Sequence, residues 1–226
     1  MNKRTALLVG ATGLVGKELL QILLDAEEYR KVTILVRRPL EVQHEKLDIK
    51  VIDFEEMEAN LPFSIDDVYC CIGTTIKVAK TKEQFKKVDY HYPMTLAKIM
   101  KKQGAKTFSV ISSMGANVKS KIFYSRTKGE LEKDLTKLHF SHLYIFRPSL
   151  LVGEREQFRL GEKIGEVALR VLRPILFGPF KKYRSINAKQ VAFAMYKTVV
   201  SKREGEVVVI ESDEMSEIKT KGNKIS

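Results

Sequence analysis

An apolar run, Ala6-Leu7-Leu8-Val9, turns directly into Gly10-Ala11-Thr12-Gly13-Leu14-Val15-Gly16 and then into a stretch with helical spacing. No other feature narrows so far what the chain can become. Each of the three glycines answers a separate need. A tight turn wants a residue free to take positive φ, close approach to a pyrophosphate leaves no room for a Cβ, and packing of helix on strand wants a third. The helix that follows would offer unpaired N–H groups and a favourable dipole to phosphates. Glycines cluster in turns anyway, so the weight comes from position, between an expected strand and an expected helix. The reading is a dinucleotide-binding turn formed by Gly10, Ala11, Thr12, Gly13, Leu14, Val15 and Gly16.

The rest of the chain has the texture such a turn requires. Val-, Ile- and Leu-rich runs at 6–9, 32–37, 49–54, 68–72, 107–111 and 143–146 alternate with helix-period stretches at 13–27, 85–103 and 124–138. Gly104 is placed as a helix terminator. Buried strands joined by crossovers predict an α/β fold, a Rossmann-type doubly wound parallel sheet. Residues 160–172 and 188–200 read as helices and 207–210 as one more strand. The expectation is a single NAD(P)-binding domain over 1–226, with about 149–211 contributing a small substrate-side cap. The polar stretch 212–226 is expected to be a disordered tail.

Composition sets limits. The 226 residues are 44% hydrophobic and 30% charged, enough apolar material for one sizeable core, and no apolar run is long enough to cross a membrane. Lys3 and Arg4 before an apolar run superficially suggest a leader, but the run stops too early and is read as the first strand. The two cysteines, Cys70 and Cys71, are adjacent, which excludes a disulfide framework and favours a reducing, cytoplasmic location. The net charge of +12 suits a polyanion or a phosphorylated cofactor. The lysines are scattered without a nucleic-acid reading motif, so no specific nucleic acid is expected. His44, His91, His139 and His142 lack ligand spacing, and no metal is expected.

Which dinucleotide is bound should be decided at the end of the second strand. That strand closes with Arg37-Arg38 rather than an acid, and guanidinium suits a 2′-phosphate, so NADP(H) is preferred over NAD(H). Asp53, followed by Phe54, is placed to meet the adenine edge, with capping of the next helix as the competing role. Cys71, Gly73 and Thr74 close the fourth strand, where small residues let the backbone run against the cofactor; the two thiols are read as packing residues. Tyr124 and Lys128 stand at i and i+4, on one helical face. A nearby ammonium, together with an oxidised nicotinamide, would let the phenol act as acid or base. That spacing recurs by chance in a chain with 8 Tyr, and its place after the fifth strand, about ten residues beyond Ser112-Ser113, gives it meaning. Pro148 follows the sixth strand at the nicotinamide end. Residues 170–182, mixing apolar and basic side chains, are read as a lid over the substrate pocket.

Together these residues resemble an atypical short-chain dehydrogenase/reductase. More narrowly, Val51-Ile52-Asp53-Phe54, Cys70 to Thr75, Val88-Asp89-Tyr90, Ser112 to Ala116, Tyr124 to Glu130 and Phe146-Arg147-Pro148 resemble the Tat-interactive protein 2 family over roughly 5–200. The resemblance implies an NADPH-binding Rossmann protein, monomer or homodimer, with Ser113 polarising a carbonyl, Tyr124 transferring the proton and Lys128 binding the nicotinamide ribose. Ser113 is preferred to Ser112 by position in that family. Asp89 departs from the Asn that many extended members carry at a proton-relay position. The expected activity is reduction of a small carbonyl compound. The family's animal members are discussed as regulators, which makes a cofactor sensor with a protein partner the second reading.

Overall fold

A computed structural model describes residues 3–57, 61, 65–153 and 184–218. Strand β1 (Arg4–Val9) shows how the layers form. Ala6 and Leu8 point to one face, Leu7 and Val9 to the other, and all four are fully buried. A strand buried on both sides has no polar face to present, hence its unbroken apolar run.

The chain continues through α1 (Leu14–Asp25), β2 (Tyr29–Val36), β3 (Leu47–Val51) and β4 (Asp67–Cys70). Two short helices, α2 (Ile76–Ala79) and α3 (Lys82–Lys86), precede a π-helical turn at Lys87–His91 and helix α4 (Tyr92–Lys102). Then come β5 (Thr107–Ile111), α5 (Phe123–Thr136), β6 (His142–Arg147), β7 (Leu151–Val152) and β8 (Ile186–Asn187). Helix α6 (Ala188–Val200), β9 (Val207–Glu211) and α7 (Ser212–Glu217) follow. Seven strands form one parallel sheet in the order β3-β2-β1-β4-β5-β6-β9, while β7 and β8 pair separately. Helices α1 and α6 bury one face, α4 and α5 the other. This is the expected Rossmann-type α/β fold, and its direction of winding reverses between β1 and β4. There the carboxyl ends of two adjacent strands open into a crevice.

Two local expectations change. The helix read over 85–103 is divided into α3, the π-turn and α4. Thr81 caps α3 by accepting from the Gln84 N–H, and Pro93 in the first turn of α4 has no N–H to give the Asp89 carbonyl. A wider turn at Lys87–His91 accommodates that ring.

The stretch 149–211, expected as a cap, divides as well. Helix α6 buries Val191, Ala192, Met195 and Val199 against α1, and β9 extends the sheet beside β6. An apolar helical stripe and an open strand edge are satisfied by the body of the sheet rather than above it. Within 212–226, expected as disordered, residues Ser212–Glu217 form α7 with Met215 buried in the core. The helix read at 160–172 and the lid read at 170–182 lie outside the described residues. No helix among the described residues is long and apolar enough to cross a membrane.

Candidate coenzyme and catalytic site

The glycine turn stands where β1 meets α1, facing the end of β4. Gly10 has φ +90°, and a Cβ there would lie 2.5 Å from the Cys71 carbonyl oxygen. A Cβ on Gly16 would lie 2.0 Å from the Gly10 carbonyl oxygen, so helix and turn cross at backbone contact. Gly13 stands at the N-terminus of α1 without a side-chain capping bond, and the first turn carries no acid. The leading N–H groups of α1 are thereby left to an anion. Ala11 and Val15 are buried, Leu14 is half-buried and Thr12 is exposed at the turn's tip.

Arg37 and Arg38 lie beyond the end of β2, both exposed, and no ion pair among the described residues engages either. Asp53, beyond β3, accepts from the Glu55 N–H at 3.0 Å and caps a short 3-10 turn. Its capping role is therefore realised in the structure. Phe54 packs edge-on against Tyr92, centroids 5.4 Å apart. Burial pushes the Cys70 thiol up to about 12 and the Cys71 thiol well above its ordinary range, so neither is a ready thiolate. The Cys71 sulfur lies 4.0 Å from that of Met195, a packing contact.

At the inner end of the crevice the elements converge. Lys128 on α5 is 3% exposed, and its Nζ lies 2.7 Å from Oδ1 of Asp89 on the π-turn, itself 1% exposed. The other Asp89 oxygen accepts from the Thr74 N–H at 2.8 Å. A Cβ on Gly73 would lie 3.4 Å from Asp89 Oδ1 and 4.0 Å from Lys128 Nζ, so this glycine forms the floor directly beside the ion pair. Lys128 also reaches the carbonyl of Ile111, the last residue of β5, at 3.4 Å. Burial would lower its pKa, but Asp89 and the phenol of Tyr124 outweigh that and hold it above the ordinary value, an ammonium at neutral pH. Tyr124, one turn earlier, is half-buried at the start of α5 with its ring tilted against Phe85, centroids 5.4 Å apart.

The two serines differ in their surroundings. Ser112 Oγ donates to Glu132 at 2.5 Å in a buried contact. Ser113 Oγ is buried with no hydrogen-bond partner among the described residues. The segment is pinned by Ser112 N–H to the Phe146 carbonyl (2.7 Å) and Met114 N–H to the carbonyl of buried Pro148 (3.0 Å). Glu132 and Arg147 pack behind this segment, and sequence reasoning gave neither a role. Arg147 holds Glu132 with Nε at 3.0 Å and Nη2 at 2.5 Å, and reaches Glu211 at 3.1 Å. These hydrogen bonds, Glu132 first, raise the guanidinium pKa. The available signal was spacing: Glu132 continues the i, i+4 series of Tyr124 and Lys128. Among the described residues no cluster of three or more His, Cys, Asp or Glu gathers for a metal.

The residues present fit a dinucleotide. A backbone cradle that a Cβ would fill, an uncapped helix start, a glycine beside the ion pair and a buried hydroxyl without a partner among the described residues follow the carboxyl ends of β1, β4 and β5.

Comparison with known proteins gives a consistent picture. The profile of the HIM1 family matches residues 37–183. A Candida albicans protein named FMP52, mitochondrial, is 36% identical over 166 residues, covering 70% of this chain and 72% of its own. The rat protein HTATIP2 is 36% identical over 167 residues, 72% of this chain and 69% of its own. A Meyerozyma guilliermondii FMP52 is 33% identical over 217 residues, covering 93% of each chain. Among solved structures, MoeE5 in complex with UDP-glucose and NAD superposes with a TM-score of 0.68 at 16% identity, over 93% of this chain and 79% of that one. The oxidoreductase ylbE of Lactococcus lactis gives 0.64 at 20% identity, over 91% and 89%. At these identities the structural likeness speaks for the fold alone. The cytoplasmic expectation is corrected by the fungal relatives, which are named mitochondrial and point to that organelle instead. Unpaired cysteines indicate a reducing environment, which is not a property of the cytoplasm alone.

Proposed function

The chain belongs to the HIM1 family, and from that premise we propose that it is an NADPH-dependent reductase of a small carbonyl compound. The observation that carries this reading is Ser113: a buried hydroxyl without a partner among the described residues, two positions beyond Ile111, whose carbonyl Lys128 reaches. A buried hydroxyl left unsatisfied costs free energy unless a ligand completes it. Ser112 is already committed to Glu132, which supports Ser113 as the residue offered to a substrate oxygen.

Gly10 to Gly16 would hold the pyrophosphate on the N-terminus of α1. Arg37 and Arg38 would take the 2′-phosphate through charge-assisted hydrogen bonds. Asp53 and Phe54 border the adenine end, and Cys71, Gly73, Thr74 and Pro148 would line the way to the nicotinamide. Reduced nicotinamide supplies a hydride when bound. Ser113 would donate a hydrogen bond to the carbonyl oxygen, Tyr124 would deliver the proton to it, and Lys128 would hold the ribose beside Tyr124.

The test is NADPH consumption against a panel of aldehydes and ketones, with Tyr124→Phe alongside. Turnover with one class of carbonyl, lost in the variant while coenzyme still binds, is expected. Binding without turnover on every carbonyl would overturn the reductase reading in favour of a sensor, and absence of coenzyme binding would overturn both.

A further inference from the structure

The Lys128–Asp89 pair does more than place a lysine. We propose that Asp89 is a positioning residue that both holds Lys128 and cancels its charge, so that the inner end of the crevice is electrically neutral toward the coenzyme ring. This rests on the coenzyme reading above and adds to it which redox form the site tolerates.

The geometry is specific. Nζ of Lys128 and Oδ1 of Asp89 are 2.7 Å apart, and both side chains are almost wholly buried. The second carboxylate oxygen is used by the Thr74 N–H, which ties the pair to the Gly73–Thr74 loop. Gly73 lies directly against the pair, since a Cβ there would stand in contact with Asp89 Oδ1 at 3.4 Å. Asp89 is delivered by the π-turn, an uncommon arrangement often found at functional sites. The other titratable groups acting on the lysine are Tyr124 of α5 and Cys70 of β4, and burial keeps that thiol protonated. Glu132, one turn further along α5, is occupied by Arg147. Among the described residues, no other group acting on Lys128 is therefore placed to cancel its charge.

The consequence follows from charge. Oxidised nicotinamide carries a positive charge and the reduced ring carries none. An uncompensated ammonium beneath the floor would disfavour the oxidised form, whereas the neutral pair does not.

The experiment is calorimetric titration of the purified full chain with NADP+ and NADPH separately, in wild type, Asp89→Asn and Asp89→Asn/Lys128→Met. Asn keeps an acceptor for Thr74 and removes the charge. The expected result is that Asp89→Asn weakens NADP+ relative to NADPH at least on the order of tenfold, the effect of one uncancelled charge as far as about 12 Å from the ring in an effective dielectric near 20. The double variant, neutral again, should return to the wild-type ratio even with weaker overall affinity. An unchanged ratio in Asp89→Asn, or equal losses for both forms, overturns the proposal. If Asp89→Asn does not fold, the double variant decides: a wild-type ratio supports the proposal, and a shifted one refutes it. Failure of wild type to bind either form is a separate outcome that removes the coenzyme reading and this inference with it.

Discussion

The two edges of the sheet both bury polar groups, and they treat them in opposite ways. At the amino edge, Arg4 pairs with Asp67 at 2.9 Å, Tyr29 donates to Asp67 at 2.9 Å, and the hydroxyls of Tyr29 and Tyr69 meet at 2.8 Å. The Arg4 guanidinium also lies over the Tyr29 ring. That cluster is closed: its members satisfy one another. At the carboxyl edge, Ser113 Oγ has no partner, the start of α1 has no cap and the two arginines after β2 are unpaired among the described residues. A closed cluster contributes to stability, whereas an open one is completed by a ligand. The contrast supports the proposed site at the carboxyl edge.

The comparison can be broken most forcefully at Tyr124. Loss of its hydroxyl in Tyr124→Phe should cut turnover by about 10²- to 10⁴-fold, the usual contribution of a positioned proton donor, with the thermal midpoint little changed. Unaltered turnover would dissociate the open edge from the chemistry. Next comes Asp67→Ala, which strands Arg4 and the Tyr29 hydroxyl. We expect roughly 2 kcal/mol of lost stability in denaturant titration, below the full cost of a broken buried pair because Arg4 is partly exposed. Coenzyme affinity of the folded fraction should stay the same. Of similar or smaller size, Arg37→Ala/Arg38→Ala should weaken NADPH about tenfold or more while sparing NADH, and equal losses would contradict the 2′-phosphate assignment.

A further test is alkaline. Burial, followed by the Asp67 charge, raises the Tyr29 phenol above its ordinary value, and burial does the same for Tyr69. Their folded pKa exceeds the unfolded value near 10, so this stabilisation is complete below about pH 10 and is lost as pH climbs above it. Stability should fall by about 1.4 kcal/mol per pH unit for each such phenol, and Tyr69→Phe should make the slope shallower. A flat profile to pH 11 would show that the cluster is not closed.

Much of this was legible in the chain itself. Six strand runs and the first helix are found in place because a parallel strand buried on both faces must be apolar throughout and a helix must carry one apolar stripe. The glycine turn was legible because Gly10 and Gly16 have no alternative: a Cβ at either collides with backbone. In the C-terminal third the helix at 188–200 and the strand at 207–210 were legible as elements but their placement was not, since an apolar helix and strand announce that they need burial without saying against what. Helix α6 found α1, and β9 found β6.

The linear order of residues thus determined which segments are strands and helices, where a tight glycine turn forms, and that a tyrosine and a lysine share a helical face. Those are properties of neighbours a few positions apart. Only the tertiary structure decided that Ser112 is spent on Glu132 and Ser113 is left open, and that Asp89 lies against Lys128. Residues 20 to 39 positions apart meet because a sheet and a helix packed upon it bring them together, and the energy of a buried charge depends on its neighbours in space.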